Sequence, residues 1–288
     1  MNTPADNLLL HPENFQRMTL SGRRISRWMQ DHATEVAHAS QGLADPDVSI
    51  LIRSRNDADH LQRLLTDIAD QVFTGKIEII LVDTESRDNT VQLAKKYGAK
   101  IVPMTQATFS YPKALNAGFA AASHPWVVTL VGHSSLTNKY FLKSLAYWLA
   151  QKPDLCGIYS LPLANWNASR WERLESALAP RIWEKPVIIT DMGMGIMAAN
   201  CSILKRDAWE ELGGYDERWA GGGEDRAFAR TMLEHHMTIV REPLCSVFHS
   251  HALSMGNTVK QWLHWGEVAK KPTEFMTKTV HGRRPDLR

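Results

Sequence analysis

Several short stretches of this chain bring together residue types that can do chemistry. The first is Gly-Gly-Gly-Glu-Asp at 221–225, followed by RAFARTML. Glycines admit positive φ and let the backbone approach a ligand closely. Glu224 and Asp225 then fall at a predicted helix start, where free N–H groups and the helix dipole favour carboxylates. The run is either a flexible cap or a pre-positioned general base at a pocket mouth. Gly222 and Gly223 make it longer in glycine than a cap requires. The second stretch is VDTESRDNT, where Asp83 directly follows an apolar run, placed to bond a ligand or to shape a turn. The third is RSRND: Arg53 and Arg55 suit a phosphate, or pair with Asp57 and Asp83. The fourth is FHSHALSM, where His249 and His251 lie on one side of an extended chain. Such a pair ligates a metal or serves structure. Finally, VVTLVGHSS ends an apolar run on His133.

The elements that must position these residues follow a regular pattern. Predicted strands lie at 48–54, 77–84, 99–104 and 126–132. Between them come DADHLQRLLTDIADQ, SRDNTVQLAKKYG (capped by Ser86 or Asp88) and YPKALNAGFAAAS, with apolar residues at helical spacing. Strands alternating with helices imply right-handed crossovers and a parallel sheet covered on both faces. Ligands bind such sheets at the carboxyl ends of the strands. Those ends are RSRND, VDTESRD, the MTQATFSYPK turn and VGHSS, all polar. The second half is less regular. CGIYSLPL reads as a strand, ASRWERLESAL as a helix, and 194–205 as a strand or strand pair. Two helices flank the glycine loop, TIVREPLCSVFHSHAL is a strand ending at the histidine pair, and TVKQWLHWGEVAKK is a final helix.

The chain has 288 residues, enough for a sizeable core, and a formal net charge of +2, so no strong field points to nucleic acid. Cys156, Cys201 and Cys245 are far apart and sit in apolar surroundings, as reduced thiols of a cytoplasmic protein do. No run is long enough to span a bilayer, and the N-terminus does not read as a signal peptide. SGRRISRWMQ is a solvated basic helix face or a peripheral membrane contact. The reading divides the chain into a helical, polar extension (1–46), one domain (47–270) and a loose tail (271–288). Within the domain the nucleotide half is about 47–135 and the acceptor half about 136–270. There is no nucleophile elbow, P-loop, CxxC pair or HExxH, and the glycines of ALNAGFAAA do not make a dinucleotide fingerprint.

Taken together, VSILIRSRND, IEIILVDTESRDNT, FSYPKALNAGFAAA, VVTLVGHSSLT and WAGGGEDRAFARTM resemble the family-two glycosyltransferases. The resemblance runs over about residues 46–252. It implies an α/β, Rossmann-like GT-A fold with a mostly parallel sheet, helices on both faces and a small C-terminal acceptor-side subregion. It implies that Arg53, Ser54, Arg55, Asn56 and Asp83 hold the nucleoside and that Lys113, Asn116 and Gly118 lie against the nucleotide. Asp225, with Glu224 beside it, becomes the base that deprotonates an acceptor hydroxyl. His249 or His251 completes the diphosphate or metal site.

The departure is at His133. The family usually carries Asp-x-Asp after the fourth strand; in register this chain has Val131-Gly132-His133. Three accounts stand open. His133 and a C-terminal histidine hold a cation that accepts nitrogen ligands, manganese rather than magnesium. Or His133 meets the leaving diphosphate directly, helped by Arg53 or Arg55, with no metal. Or donor binding has decayed and the protein is a pseudoenzyme that binds nucleotide or carbohydrate. The expected activity is inverting transfer of a hexosyl or deoxyhexosyl group from a UDP-, GDP- or dTDP-sugar. The acceptor is a glycan, a lipid-linked or a small molecule, with Trp166, Trp171, Trp183, Trp219, Gly222 and Gly223 on its side of the cleft. The expected location is the cytoplasm or the inner face of the membrane, and a homo-oligomer is open. A nucleotidyltransferase would need a glycine-rich loop after the first strand, which RSRND lacks.

Overall fold

The computed structural model describes residues 8–17, 19–165, 167–178, 185–190 and 197–268. The expected tail over 271–288, Trp166, Trp183 and residues 194–196 lie outside the described residues.

The first half builds as the apolar periodicity demands. Strands β1 (Val48–Ser54), β2 (Ile77–Asp83), β3 (Lys100–Pro103) and β4 (Trp126–Val131) pair in parallel, in the order β3-β2-β1-β4. Their connecting helices are α3 (Ala58–Ala69), α4 (Thr90–Lys96) and α5 (Tyr111–Ala121); α1 (Pro12–Arg17) and α2 (Thr19–Ala39) precede the sheet. Side chains alternate across a strand. Ile50 and Ile52 therefore face Leu61, Leu64 and Leu65 of α3, while Leu51 faces Leu115 and Phe119 of α5. With both faces covered, the strands carry apolar residues on each side.

The sheet then continues less predictably. β8 (Ser202–Lys205) adds antiparallel to β4, β6 (Leu155–Tyr159) adds antiparallel to β8, β9 (Thr238–Arg241) adds parallel to β6, and β7 (Val187–Ile189) closes the edge antiparallel to β9. The eight-stranded order is β3-β2-β1-β4-β8-β6-β9-β7. The mostly parallel expectation holds, with β8 and β7 reversed. Helices α6 (Lys143–Gln151) and α9 (Glu224–Glu234) cover opposite faces, and α8 (Arg206–Glu211) follows β8.

A second ladder has only two residues a side. β5 (Ser135–Leu136) pairs antiparallel with β10 (Val247–Phe248), Phe248 opposite Ser135. The expected long strand through TIVREPLCSVFHSHAL is thus broken. β9 ends at Arg241, a 3₁₀ turn spans Pro243–Cys245, and β10 follows. Glu242 makes the break by accepting from Leu244 N at 2.8 Å, which turns the chain. The remaining helices are α7 (Arg170–Leu178) and α10 (Met255–Val268).

Residues 8–39 do not stand away from the sheet domain. Phe15, Ile25 and Met29 are buried against Leu163, Ala168 and Phe248. Lys139 N donates to Leu8 O and Leu10 N to Thr137 O, both at 2.9 Å. The buried His32 directs one ring nitrogen at Glu35 and the other at the fully buried Glu242, each at 3.1 Å. Burial alone would lower its pKa, but the two carboxylates outweigh burial and raise it.

Candidate functional site

The carboxyl edge of the sheet gathers the charged loops. Asp83 ends β2 with its carboxyl buried. Oδ2 accepts from Ser86 N at 3.1 Å, while Oδ1 is buried with no protein partner. An orphaned buried acceptor is costly unless a ligand supplies its donor. The loop after β1 is shaped around it. Asn56 takes a positive φ of 55° and its Oδ1 accepts from Arg87 N at 2.7 Å, locking the RSRND and TESRD turns together. Asp88 accepts from Ala58 N and from Thr90 N, so one carboxylate serves the first turns of both α3 and α4. The side chain of Asn89, the residue that precedes α4, makes no cap bond.

Gly132 explains how β4 approaches this loop. A Cβ there would overlap Ser54 Oγ and come within 2.7 Å of Asp57 Oδ2. Only glycine lets the end of β4 lie against the end of β1. His133 then projects beside Asp57, with Nδ1 to Oδ1 at 3.4 Å. Asp57 is buried, which pushes its pKa up, but His133 and the Ser54 and Arg55 donors outweigh this and hold it below the ordinary value.

The β5–β10 ladder carries His249 to His133. The two Nε2 atoms are 3.0 Å apart. His249 N donates to Leu163 O, and His251 N donates to Glu172 Oε1, both at 2.8 Å, which fixes the backbone on either side of the pair. The three imidazoles form a triangle, with ring centroids 4.6–5.2 Å apart. One nitrogen from each lies within 4.8 Å of the others. His249 lies deep in the cleft, although part of the residue stays open. Burial first, then His133, His251 and Arg53, lower its pKa well below the usual value. His251 is lowered too, by burial and by His133. Neutral imidazoles are what a metal requires. The donor set fits a divalent cation that accepts imidazole, and not magnesium. His133, His249 and His251 would hold it, with Asp57 orienting His133 from behind. Bound there, it would supply positive charge to an anionic leaving group.

Asp225 and Arg53 meet on the backbone of one residue, Ala199. Ala199 N donates to Asp225 Oδ2 at 3.1 Å, and Ala199 O accepts from Arg53 Nη2 at 3.2 Å. Arg53 also lies over the Tyr111 ring at 5.5 Å. Gly223, at φ 88°, is the N-cap that turns the chain into α9. Asp225 Oδ1 accepts from Arg226 N at 2.7 Å. Burial raises the Asp225 pKa, although these N–H donors and Arg53 pull it back. Glu224 is buried and carries a pKa of about 8, raised by burial and then by the Asp225 charge. Glu224 therefore holds its proton near neutrality, with the neighbouring Asp225 charge part of the cause.

Other expected residues fall elsewhere. Asn116 spends its carboxamide on protein: Oδ1 accepts from Trp209 Nε1 and Tyr215 N, and Nδ2 donates to Tyr215 O. It fastens α5 to the segment leading to the glycine loop. Gly118 is buried on the same helix, and Lys113 is exposed at its start. Arg55 is exposed on the loop. Trp219 is half-buried in a 3₁₀ turn before Gly222, while Trp171 is exposed on α7. Sequence reasoning missed Tyr111 beneath Arg53, Ala199 between the charges and Glu172 behind His251. It placed Asp57 with the arginines, and here it holds His133. None of these carries a motif; only the i+4 spacing of Arg53 and Asp57 in RSRND hinted at one cluster.

The edge-bound loops, the parallel β1–β4 half and the reversed β8 define a GT-A type α/β protein. Solved structures share this fold. Staphylococcus aureus TarS, residues 1–349, has a TM-score of 0.57 at 17% identity, covering 71% of this chain and 60% of that one. A mannosyltransferase from Pyrobaculum calidifontis, solved with GDP-Man and Mn²⁺, has a TM-score of 0.56 at 16% identity, covering 96% and 78%. Residues 49–213 match Glycosyl transferase family 2, and the chain belongs to that family. An uncharacterized glycosyltransferase of Nostoc is 38% identical over 80 residues, 26% of this chain and 24% of its own. A TPR repeat-containing protein of Synechococcus elongatus is 36% identical over 89 residues, 31% of this chain and 21% of its own. The chain thus matches less than a quarter of the length of these curated relatives.

Proposed function

We propose that this protein transfers a sugar from a nucleotide-sugar donor to an acceptor hydroxyl with inversion. Asp225 takes the hydroxyl proton, and the oxygen attacks the anomeric carbon from the face opposite the diphosphate. The observation that carries the reading is the shared backbone of Ala199, with Asp225 on its N–H and Arg53 on its carbonyl. It joins a raised-pKa carboxylate from the second half of the chain to a cation from the nucleotide half. Arg53 stabilises anionic charge, and Asp83 Oδ1 accepts from the nucleoside. His133, His249 and His251 would hold a nitrogen-accepting divalent cation, which would supply positive charge to the diphosphate. Solved relatives by fold carry GDP-Man and Mn²⁺ in one case and UDP-GlcNAc in another, which supports a nucleotide-sugar donor. The reduced cysteines support a cytoplasmic setting.

The test is calorimetric titration with UDP, GDP and dTDP, each with manganese and with EDTA, followed by nucleoside diphosphate release from the matching donor sugars. Asp225→Asn should keep the nucleotide and lose about 10²–10⁴-fold in turnover. If no nucleotide binds in either medium, the reading fails. If nucleotide binds but wild type and Asp225→Asn turn over alike, the protein is a binder on a transferase fold.

A further inference from the structure

Helices α7 and α10 are turned the unusual way round. Among the described residues, eight large apolar side chains are exposed, and five of them sit on these two helices. Trp171 and Leu174 share one face of α7. Met255, Val259 and Leu263, at i, i+4 and i+8, form a stripe along α10, and Leu263 is 64% exposed. Glu172 and His264 point inward instead. Glu172 of α7 accepts from Ser169 N and His251 N, and His264 of α10 meets Gly221 O at 3.3 Å. An amphipathic helix normally buries its apolar stripe. A contiguous exposed patch of this kind marks an interaction surface.

The surrounding charge says which partner fits. Arg170 and Lys260 are exposed beside the patch. Helix α2, which packs on α7, exposes Arg23, Arg24 and Arg27. The sequence beyond α10 continues with Lys270, Lys271, Lys278, Arg283, Arg284 and Arg288 against only Glu274 and Asp286. Apolar side chains set among cations match the interface of an anionic bilayer, where acyl chains meet phosphate headgroups.

We propose that the α7–α10 face docks on an anionic phospholipid membrane, peripherally and reversibly. No described helix is long and apolar enough to cross one. The same two helices touch the histidine cluster through Glu172 and the glycine loop through His264, so docking would hold the candidate site near the lipid. Binding of this kind needs no donor sugar and stands whether or not Asp225 is a base.

The test is co-sedimentation of the full chain with phosphatidylcholine vesicles and with vesicles containing about 30% phosphatidylglycerol, at low and high salt. The expected result is binding to the anionic vesicles that weakens with salt. A Val259→Asp/Leu263→Asp variant should lower the partition coefficient about tenfold or more at an unchanged thermal melt. An Arg170→Glu/Lys260→Glu variant should lose much of the preference for anionic lipid, and it decides the matter if the first variant does not fold. Absence of binding by the wild type overturns the proposal, as does binding unchanged in both variants. A salt-insensitive wild type that shows a dimer disrupted by Val259→Asp/Leu263→Asp, without lipid binding, assigns the face to a second copy.

Discussion

Replacing Glu224 by glutamine should stabilise the protein, and more so as the pH rises. Glu224 is 5% exposed and its carboxyl titrates at about 8, against 4.5 for the free side chain. The unfolded chain therefore releases this proton first. Below about pH 4.5 both states hold it and nothing is lost; between the two values folding must retain a proton that the unfolded chain gives up; above about 8 the full penalty applies. A gap of about 3.5 pH units corresponds to about 5 kcal/mol, of which about 3 kcal/mol accrues between pH 5.5 and pH 9. Glutamine has the same shape and no proton to lose. At about 2–3 °C per kcal/mol for a chain of this length, the melting-temperature difference between variant and wild type should widen by about 6–9 °C across that range. Thermal melts in matched buffers measure it. Groups titrating alike in both proteins cancel in the difference. A difference that stays flat with pH would refute this account of a raised Glu224 value. The same account requires the acidic limb of the pH–rate profile, set by Asp225, to be unchanged in Glu224→Gln.

Other expectations are as direct. Asp83→Ala should weaken nucleotide binding by about 1–3 kcal/mol, read by calorimetry, because Oδ1 is the orphaned acceptor. His133→Ala should abolish any manganese dependence of nucleotide binding and lower the melt modestly, since Asp57 loses its partner; dependence that survives would remove His133 from the cation site. Gly132→Ala should cost about 1–3 kcal/mol by overpacking against Ser54 and Asp57, seen as a lowered urea midpoint.

The first half of the chain was readable because its strands are six or seven residues long, apart from β3, and its helices keep strict apolar spacing. Asp83 and the Glu224–Asp225 pair were visible for the same reason: each stands where a periodic run stops. β7, β8 and β10 have three, four and two residues, too few for any period to show. Their pairing is decided by tertiary contact, so the reversal of β8 and the break in the 238–251 stretch were not legible. Asn116 illustrates a second limit. Its place in the middle of the helix after the third strand is plain, but its bonds to Trp209 and Tyr215 span more than 90 residues of sequence. The histidine pair was readable as a pair; the two-residue ladder that delivers it to His133 was not.

The junction at Ala199 also has a consequence for biosynthesis. The groups that meet there come from positions 53, 199 and 225, so no part of the chain contains the arrangement by itself. The family-matched segment ends at residue 213, before Asp225, His249 and His251. A nascent or proteolysed chain stopping there would carry the family signature and none of these groups. Long-range closures of this kind come late in folding. Recognisability and the assembly of this cluster are thus separated along the chain: the first is complete by 213, and the second needs residues as far as His251.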